Sequence, residues 1–261
     1  MAFLICEDGI VSAWLRAVEY LNKQPKKESN NIILDVSNPC KLSASAKLTI
    51  DTVSRKINAV DSSKSISTVA NTIFPQNLYD RYGRPAFYNK FHQCFDRAKE
   101  KGTWGTYFER MTKIGRGKNG SPINQLELTI RKLTEQRKYK AAHEVSILDI
   151  ENDYLVEGSE IAIYEPLRFG NTFMNMPCLS HISFKVSSQK LDMTAVYRSH
   201  YYASKALGNL VGLAQLLNYV ARESHIESGR LTCVSTLAKL DPRALGGVKH
   251  IQELLQPPLP V

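Results

Sequence analysis

The chain has 261 residues, 43% hydrophobic and 23% charged, with a formal net charge of +9. Residues 1–261 therefore hold enough apolar material for a sizeable core and are expected to form a single α/β or α+β domain. No apolar run approaches the roughly 18 residues that a membrane span needs, and Met1 to Cys6 lacks the basic leader of a secretion signal.

Five cysteines without framework spacing point to a reducing, cytoplasmic compartment. His143, His181 and His200 show no metal-ligand spacing, so no metal is expected. Basic residues cluster at Lys23–Lys27, Arg81–Arg84, Lys113–Lys118 and Arg131–Lys140. A positive surface suits an anionic nucleotide. Nucleic acid is the alternative partner, although no DNA- or RNA-binding motif accompanies these clusters.

Along the chain, Ile10 to Leu21 has helical periodicity and Asn31 to Val36 reads as a strand. Residues 41–66, rich in Ser, Thr and Lys, read as a loop-like insertion. Between 78 and 103, Leu78, Tyr82, Phe87, Phe91 and Phe95 predict a helix and a strand packed as core, with Trp104 after them. Gly115 to Gly120 matches GxGxxG, yet it follows a polar segment and not a buried strand, so it reads as a flexible basic loop.

The most specific stretch begins at Met176-Pro177-Cys178. His181 to Val186 and Leu191 to Tyr197 alternate in polarity, and Ser187 to Lys190 predicts a four-residue turn between two antiparallel strands. A hairpin brings the start of its first strand to the end of its second, which places Cys178 beside Arg198 and Ser199. From about Lys205 the pattern turns helical through Leu207, Val211, Ala214, Leu217 and Val220, with Asn209 expected to face a pocket from its first turn. Another strand is predicted over Arg230 to Thr236. Alone, Cys178 would read as a small buried hydrophobe, Arg198 as a surface charge and Asn209 as a helix cap. Together they offer a nucleophile, an anion anchor and an amide reader.

Pro-Cys, a β-hairpin, Arg-Ser, then an Asn eleven residues after the Arg and a long apolar helix, resemble the thymidylate synthase and deoxycytidylate hydroxymethylase superfamily over residues 174–241. Upstream, Gly105 to Arg110 is similar to that family's Tyr-containing segment, Ile123 to Leu133 to its next helix, and Glu144 to Ile147 to its next strand. The resemblance implies a mixed sheet flanked by helices and a homodimer packed sheet to sheet. It implies a pyrimidine nucleotide substrate, with Cys178 adding to C6, Arg198 and Ser199 on the phosphate, and Asn209 reading a uracil-like base edge. Tyr107 would take part in proton removal at C5. The implied one-carbon donor is methylenetetrahydrofolate.

Departures from the family cluster on the cofactor and sugar sides. Tyr201 stands where the resemblance expects the pterin-binding Asp, which removes a charge-assisted hydrogen bond of about 1.5–3 kcal/mol. Tyr197 replaces a Gln, and Lys239 and Asp241 stand where a ribose-gripping His and Tyr are expected. Ala141 and Ala142 replace the two Arg lent by the partner subunit, with Lys138 and Lys140 beside them, and Asn71 is the polar candidate at the position of a proton-relaying Glu. The family's C-terminal segment closes over folate, whereas about twenty residues follow Asp241 here, ending in the stiff Pro257 to Val261 tail.

The implied chemistry is methyl or hydroxymethyl transfer to C5. Thiolate addition at C6 pushes electron density onto C5 and O4, dividing one hard step into easier ones. A nearby Arg198 would favour the thiolate. Two alternatives are a folate-independent nucleotide-modifying or hydrolysing enzyme of the same fold, and a catalytically lapsed nucleotide- or partner-binding protein.

Overall fold

A computed structural model describes residues 1–98, 105–115, 117, 120–135, 140–147 and 177–256. Trp104, Arg116, Lys118, Asn119, Lys138, Met176 and the 257–261 tail lie outside the described residues.

The architecture is mixed α/β, a mixed sheet flanked by helices, as the sequence predicts. The described strands are β1 (Phe3–Glu7), β2 (Glu28–Val36), β3 (Glu144–Ser146), β4 (Leu179–Ser187), β5 (Lys190–Tyr197), β6 (His200–Tyr201) and β7 (Glu227–Lys239). They run in the order β1-β2-β7-β5-β4-β3, with β6 also on β7. The pairs β1/β2 and β5/β7 are parallel, while β2/β7, β4/β5 and β3/β4 are antiparallel. The two halves of the chain thus meet at the β2/β7 pair.

The described helices are α1 (Ile10–Lys23), α2 (Ala44–Val60), α3 (Ile66–Ile73), α4 (Gln76–Tyr82), α5 (Ala86–Ala98), α6 (Tyr107–Thr112), α7 (Gln125–Glu135), α8 (Leu207–Glu223) and α9 (Val248–Leu255). None is long and apolar enough to cross a membrane. The inward row of the sheet, including Ile32, Leu34, Ile182, Phe184, Met193, Ala195, Leu231 and Cys233, is fully buried with α1 and α8 packed against the strands. The α8 helix is buried on most of its circumference because α3 covers its other side. Two glycines permit that approach: a Cβ on Gly208 would lie 2.8 Å from Val69 Cβ, and one on Gly212 would lie 2.7 Å from the Ala70 carbonyl oxygen.

Three expectations are corrected. Residues 41–66 are mainly the helix α2, capped by the Ser43 side chain, which accepts from the Ala46 N–H. Only Val53 and Ile57 of that helix are buried, so its apolar stripe is too narrow to stand out in the sequence. The described part of 78–103 is the helix pair α4 and α5, without a strand. The hairpin turn is two residues, Ser188 and Gln189, both at positive φ (48° and 65°), as a turn that follows the strand twist requires. The short β1 was not anticipated.

Around the glycine-rich segment, Ile114 and Ile123 form an antiparallel bridge, and the Gly117 N–H donates to the Ser121 carbonyl. The segment follows the helix α6 and not a strand, unlike a strand-to-helix phosphate loop.

Candidate active site

The hairpin register brings the candidate nucleophile and the candidate anchor together. Leu179 is opposite Tyr197, and immediately outside that pair the Arg198 N–H donates to the Cys178 carbonyl at 2.9 Å. Cys178 is half-buried and Arg198 exposed.

Arg198 and Ser199 occupy a local break in the sheet. Tyr197 pairs with Ser235 and His200 with Ala238, so the register on β7 is identical on both sides of Arg198 and Ser199. The Thr236 hydroxyl serves the carbonyls freed by the break, at 3.2 Å from Tyr197 O and 3.0 Å from Arg198 O. Such an interruption lets two consecutive side chains leave the alternation of the sheet while the strand direction is kept.

Tyr107, at the start of α6, reaches the same point from the other half of the chain. Its hydroxyl accepts from the Cys178 N–H at 3.3 Å and from the Leu179 N–H at 3.4 Å. Burial holds this phenol well above the ordinary tyrosine range, and the neighbouring Cys178 pushes it the same way. The two main-chain donors and Arg198 pull it back only partly. The phenol is therefore protonated at neutral pH, suited to hold the Cys178 backbone and to donate a hydrogen bond, not to act unaided as a base.

Asn209 is 3% exposed and stands on a buried face of α8, not on an open one. Its Nδ2 lies 3.1 Å from His200 Nε2. His200 Nδ1 lies 2.9 Å from Ser235 Oγ, which lies 3.0 Å from the Tyr202 hydroxyl. The Tyr197 ring stacks on the imidazole at 4.1 Å and 5°. Burial, with a smaller effect of Lys205, pushes the His200 pKa down to about 3, so the ring is neutral. Between β6 and α8, residues Tyr202–Ala206 form a π-helical turn, an irregularity frequent at functional sites.

The two sugar-side candidates are already engaged. Asp241 Oδ1 accepts from the Ala203 N–H at 2.9 Å and the Ser204 N–H at 3.3 Å, tying down the π-turn. Lys239 pairs with Glu28 at 3.0 Å. Asn71 is exposed on α3. Near Ala141 and Ala142, the Lys132 ammonium donates to the Ala142 carbonyl. Sequence reasoning treated His200 only as a non-ligand and passed over Tyr202 and Ser235. The available signal was a pair of polar residues at inward positions of strands otherwise apolar on that side.

No family model matches the chain. Similarity to individual proteins is partial. The "Putative thymidylate synthase" of Methanosarcina mazei is 38% identical over 63 residues, 24% of this chain and 29% of that protein. The protein of the same description from Methanothermobacter marburgensis is 38% identical over 65 residues, 25% and 29% of the two chains. That of Methanococcoides burtonii is 26% identical over 118 residues, 45% and 46%. Over these stretches the chain is similar to archaeal proteins described as "Putative thymidylate synthase". The matched stretches span less than half the length of each of those relatives, so the likeness supports a loose thymidylate-synthase-like relationship.

Proposed function

We propose that this protein is a thymidylate-synthase-like transferase acting at C5 of a pyrimidine nucleotide through a Cys178 adduct at C6. The observation that carries this reading is the convergence of Cys178, Arg198 and Tyr107 on one hairpin end, together with the partial likeness to the archaeal proteins. In this scheme the Cys178 thiolate forms a bond to C6, and the C5–C6 electron pair moves onto C5 and O4. The activated C5 then bonds to an electrophilic carbon, C5 loses its proton, and thiolate leaves as the double bond re-forms. Arg198 anchors the phosphate by a paired hydrogen bond, Ser199 adds a hydroxyl, and Asn209 reads the base. Lys239 and Asp241 border the sugar side, and Tyr107 keeps the Cys178 backbone in place for addition.

The cofactor side does not fit a folate as the resemblance would have it. Tyr201 is 38% exposed and supplies a phenol where a carboxylate is expected, and its register partner on β7 is Lys239. If methylenetetrahydrofolate is the one-carbon donor, it binds without the pterin carboxylate that the resemblance implies.

The outward row of the sheet supports a homodimer packed sheet to sheet. Leu4, Ile33, Val234 and Val196 are consecutive across four strands and are left half-buried or exposed. Light scattering of the purified chain at micromolar concentration should give twice the chain mass.

The reaction is tested by release of tritium from C5-labelled deoxyuridylate and deoxycytidylate. Addition at C6 alone makes the C5 hydrogen exchangeable, so no carbon donor is needed. Cys178-dependent release from either nucleotide supports the proposal, and its absence from both counts against it.

A further inference from the structure

We infer that His200 is a positioning residue whose tautomer fixes the amide orientation of Asn209 and so selects the base edge that the protein accepts. This rests on the proposed role of Asn209 as base reader.

The inference follows from the donors and acceptors in the buried row. A neutral imidazole has one N–H and one bare nitrogen. The amide nitrogen of Asn209 can only donate, so at 3.1 Å from it His200 Nε2 accepts and the proton resides on Nδ1. Nδ1–H then donates to Ser235 Oγ at 2.9 Å, and the Ser235 hydroxyl donates in turn to the Tyr202 oxygen at 3.0 Å. With one amide N–H used on His200, the Asn209 carbonyl and its second N–H are left as an acceptor beside a donor. That pair complements the N3–H and O4 of uracil.

The opposite polarity is also self-consistent. Tyr202 would donate to Ser235, Ser235 to Nδ1, and Nε2–H to the carbonyl of a flipped Asn209. The reading edge would then present its donor and acceptor in exchanged places, matching N3 and the N4 amine of cytosine. The imidazole is held in place: Tyr197 stacks on one face, Ser235 and Asn209 bracket its nitrogens, and it is 1% exposed. An uncoupled amide could rotate to suit either base, whereas the amide bonded to His200 turns only if the imidazole and the Ser235 hydroxyl reverse with it.

The test has two arms on the full chain. In the first, nitrogen-15 imidazole spectroscopy at pH 7 should show a His200 ring with a protonated Nδ1 and a bare Nε2; the reverse pattern overturns the inference. In the second, deoxyuridylate and deoxycytidylate are titrated calorimetrically into wild type, His200→Phe, His200→Gln and Ser235→Ala, each checked for folding by circular dichroism. Wild type should prefer deoxyuridylate. His200→Phe should lower the preference by about tenfold or more, Ser235→Ala should lower it in the same direction, and His200→Gln, whose carbonyl can accept, should restore part of it. A purely structural role would weaken both nucleotides equally and leave the ratio unchanged, which overturns the inference. If His200→Phe does not fold, the Ser235→Ala ratio decides. Wild type that binds neither nucleotide would instead overturn the proposed function, and this inference with it.

Discussion

The Arg198 main-chain N–H donates to the Cys178 carbonyl at 2.9 Å, which closes the open end of the β4/β5 hairpin. The backbones of Cys178 and Arg198 are thereby held side by side by strand register. Because that register is a backbone feature, it persists when either side chain is changed.

Arg198→Lys therefore isolates the guanidinium. Lysine keeps the charge but cannot make two parallel bonds to a phosphate. Nucleotide affinity should fall by about tenfold or more, with no change in thermal stability because Arg198 is exposed. Calorimetric titration checks this; an unchanged affinity would remove Arg198 from the phosphate site.

Tyr107→Phe removes the acceptor shared by the Cys178 and Leu179 N–H groups. Leaving such donors unsatisfied costs on the order of 1–3 kcal/mol. Urea denaturation should show that loss, and C5 tritium release should slow because the Cys178 backbone is less firmly held. Full stability in the variant would mean that the two donors find another acceptor.

Gly212→Ala tests the packing of α8 on α3. The added Cβ would sit 2.7 Å from a backbone oxygen, which has little freedom to retreat. Overpacking of about 1–3 kcal/mol opposes a helix-propensity gain of about 1 kcal/mol. A net destabilisation of up to about 2 kcal/mol is expected from the denaturation midpoint, and a rise in stability would contradict the close approach.

The depressed pKa of His200 makes a signed prediction. The folded ring stays neutral to about pH 3, whereas the unfolded ring takes up a proton near its ordinary value of 6.5. Below pH 6.5 the unfolded state binds more protons, so stability is lost on acidification and levels off near pH 3. At pH 5 the loss from this group is about 2 kcal/mol. His200→Phe should flatten the stability profile between pH 6.5 and 5; an unaltered slope would place the proton uptake elsewhere.

Alternation and period were enough to read α1, β2, the hairpin, α8 and β7 in the sequence, because each has a sharply apolar face. Helix α2 was obscured by its narrow buried stripe of Val53 and Ile57. Within the site, the closeness of Cys178 to Arg198 followed from hairpin geometry, and Tyr107 was found only through family resemblance. The His200, Ser235 and Tyr202 row was not legible. Its residues belong to β6, β7 and the π-turn, and only the constant register across the Arg198–Ser199 break brings them together. Asn209 stands out in the sequence as a polar residue in an apolar helix, but its engagement with His200 depends on that same register.

The most direct test of the central claim is intact-protein mass spectrometry after incubation with 5-fluoro-deoxyuridylate, with and without methylenetetrahydrofolate, on wild type and Cys178→Ala. Fluorine cannot leave C5 as a cation, so an adduct that has taken up a carbon unit cannot eliminate and is retained. A mass increase of one nucleotide, with or without the folate, that disappears in Cys178→Ala is the predicted result. Folded wild-type protein that remains unmodified under both conditions would contradict it.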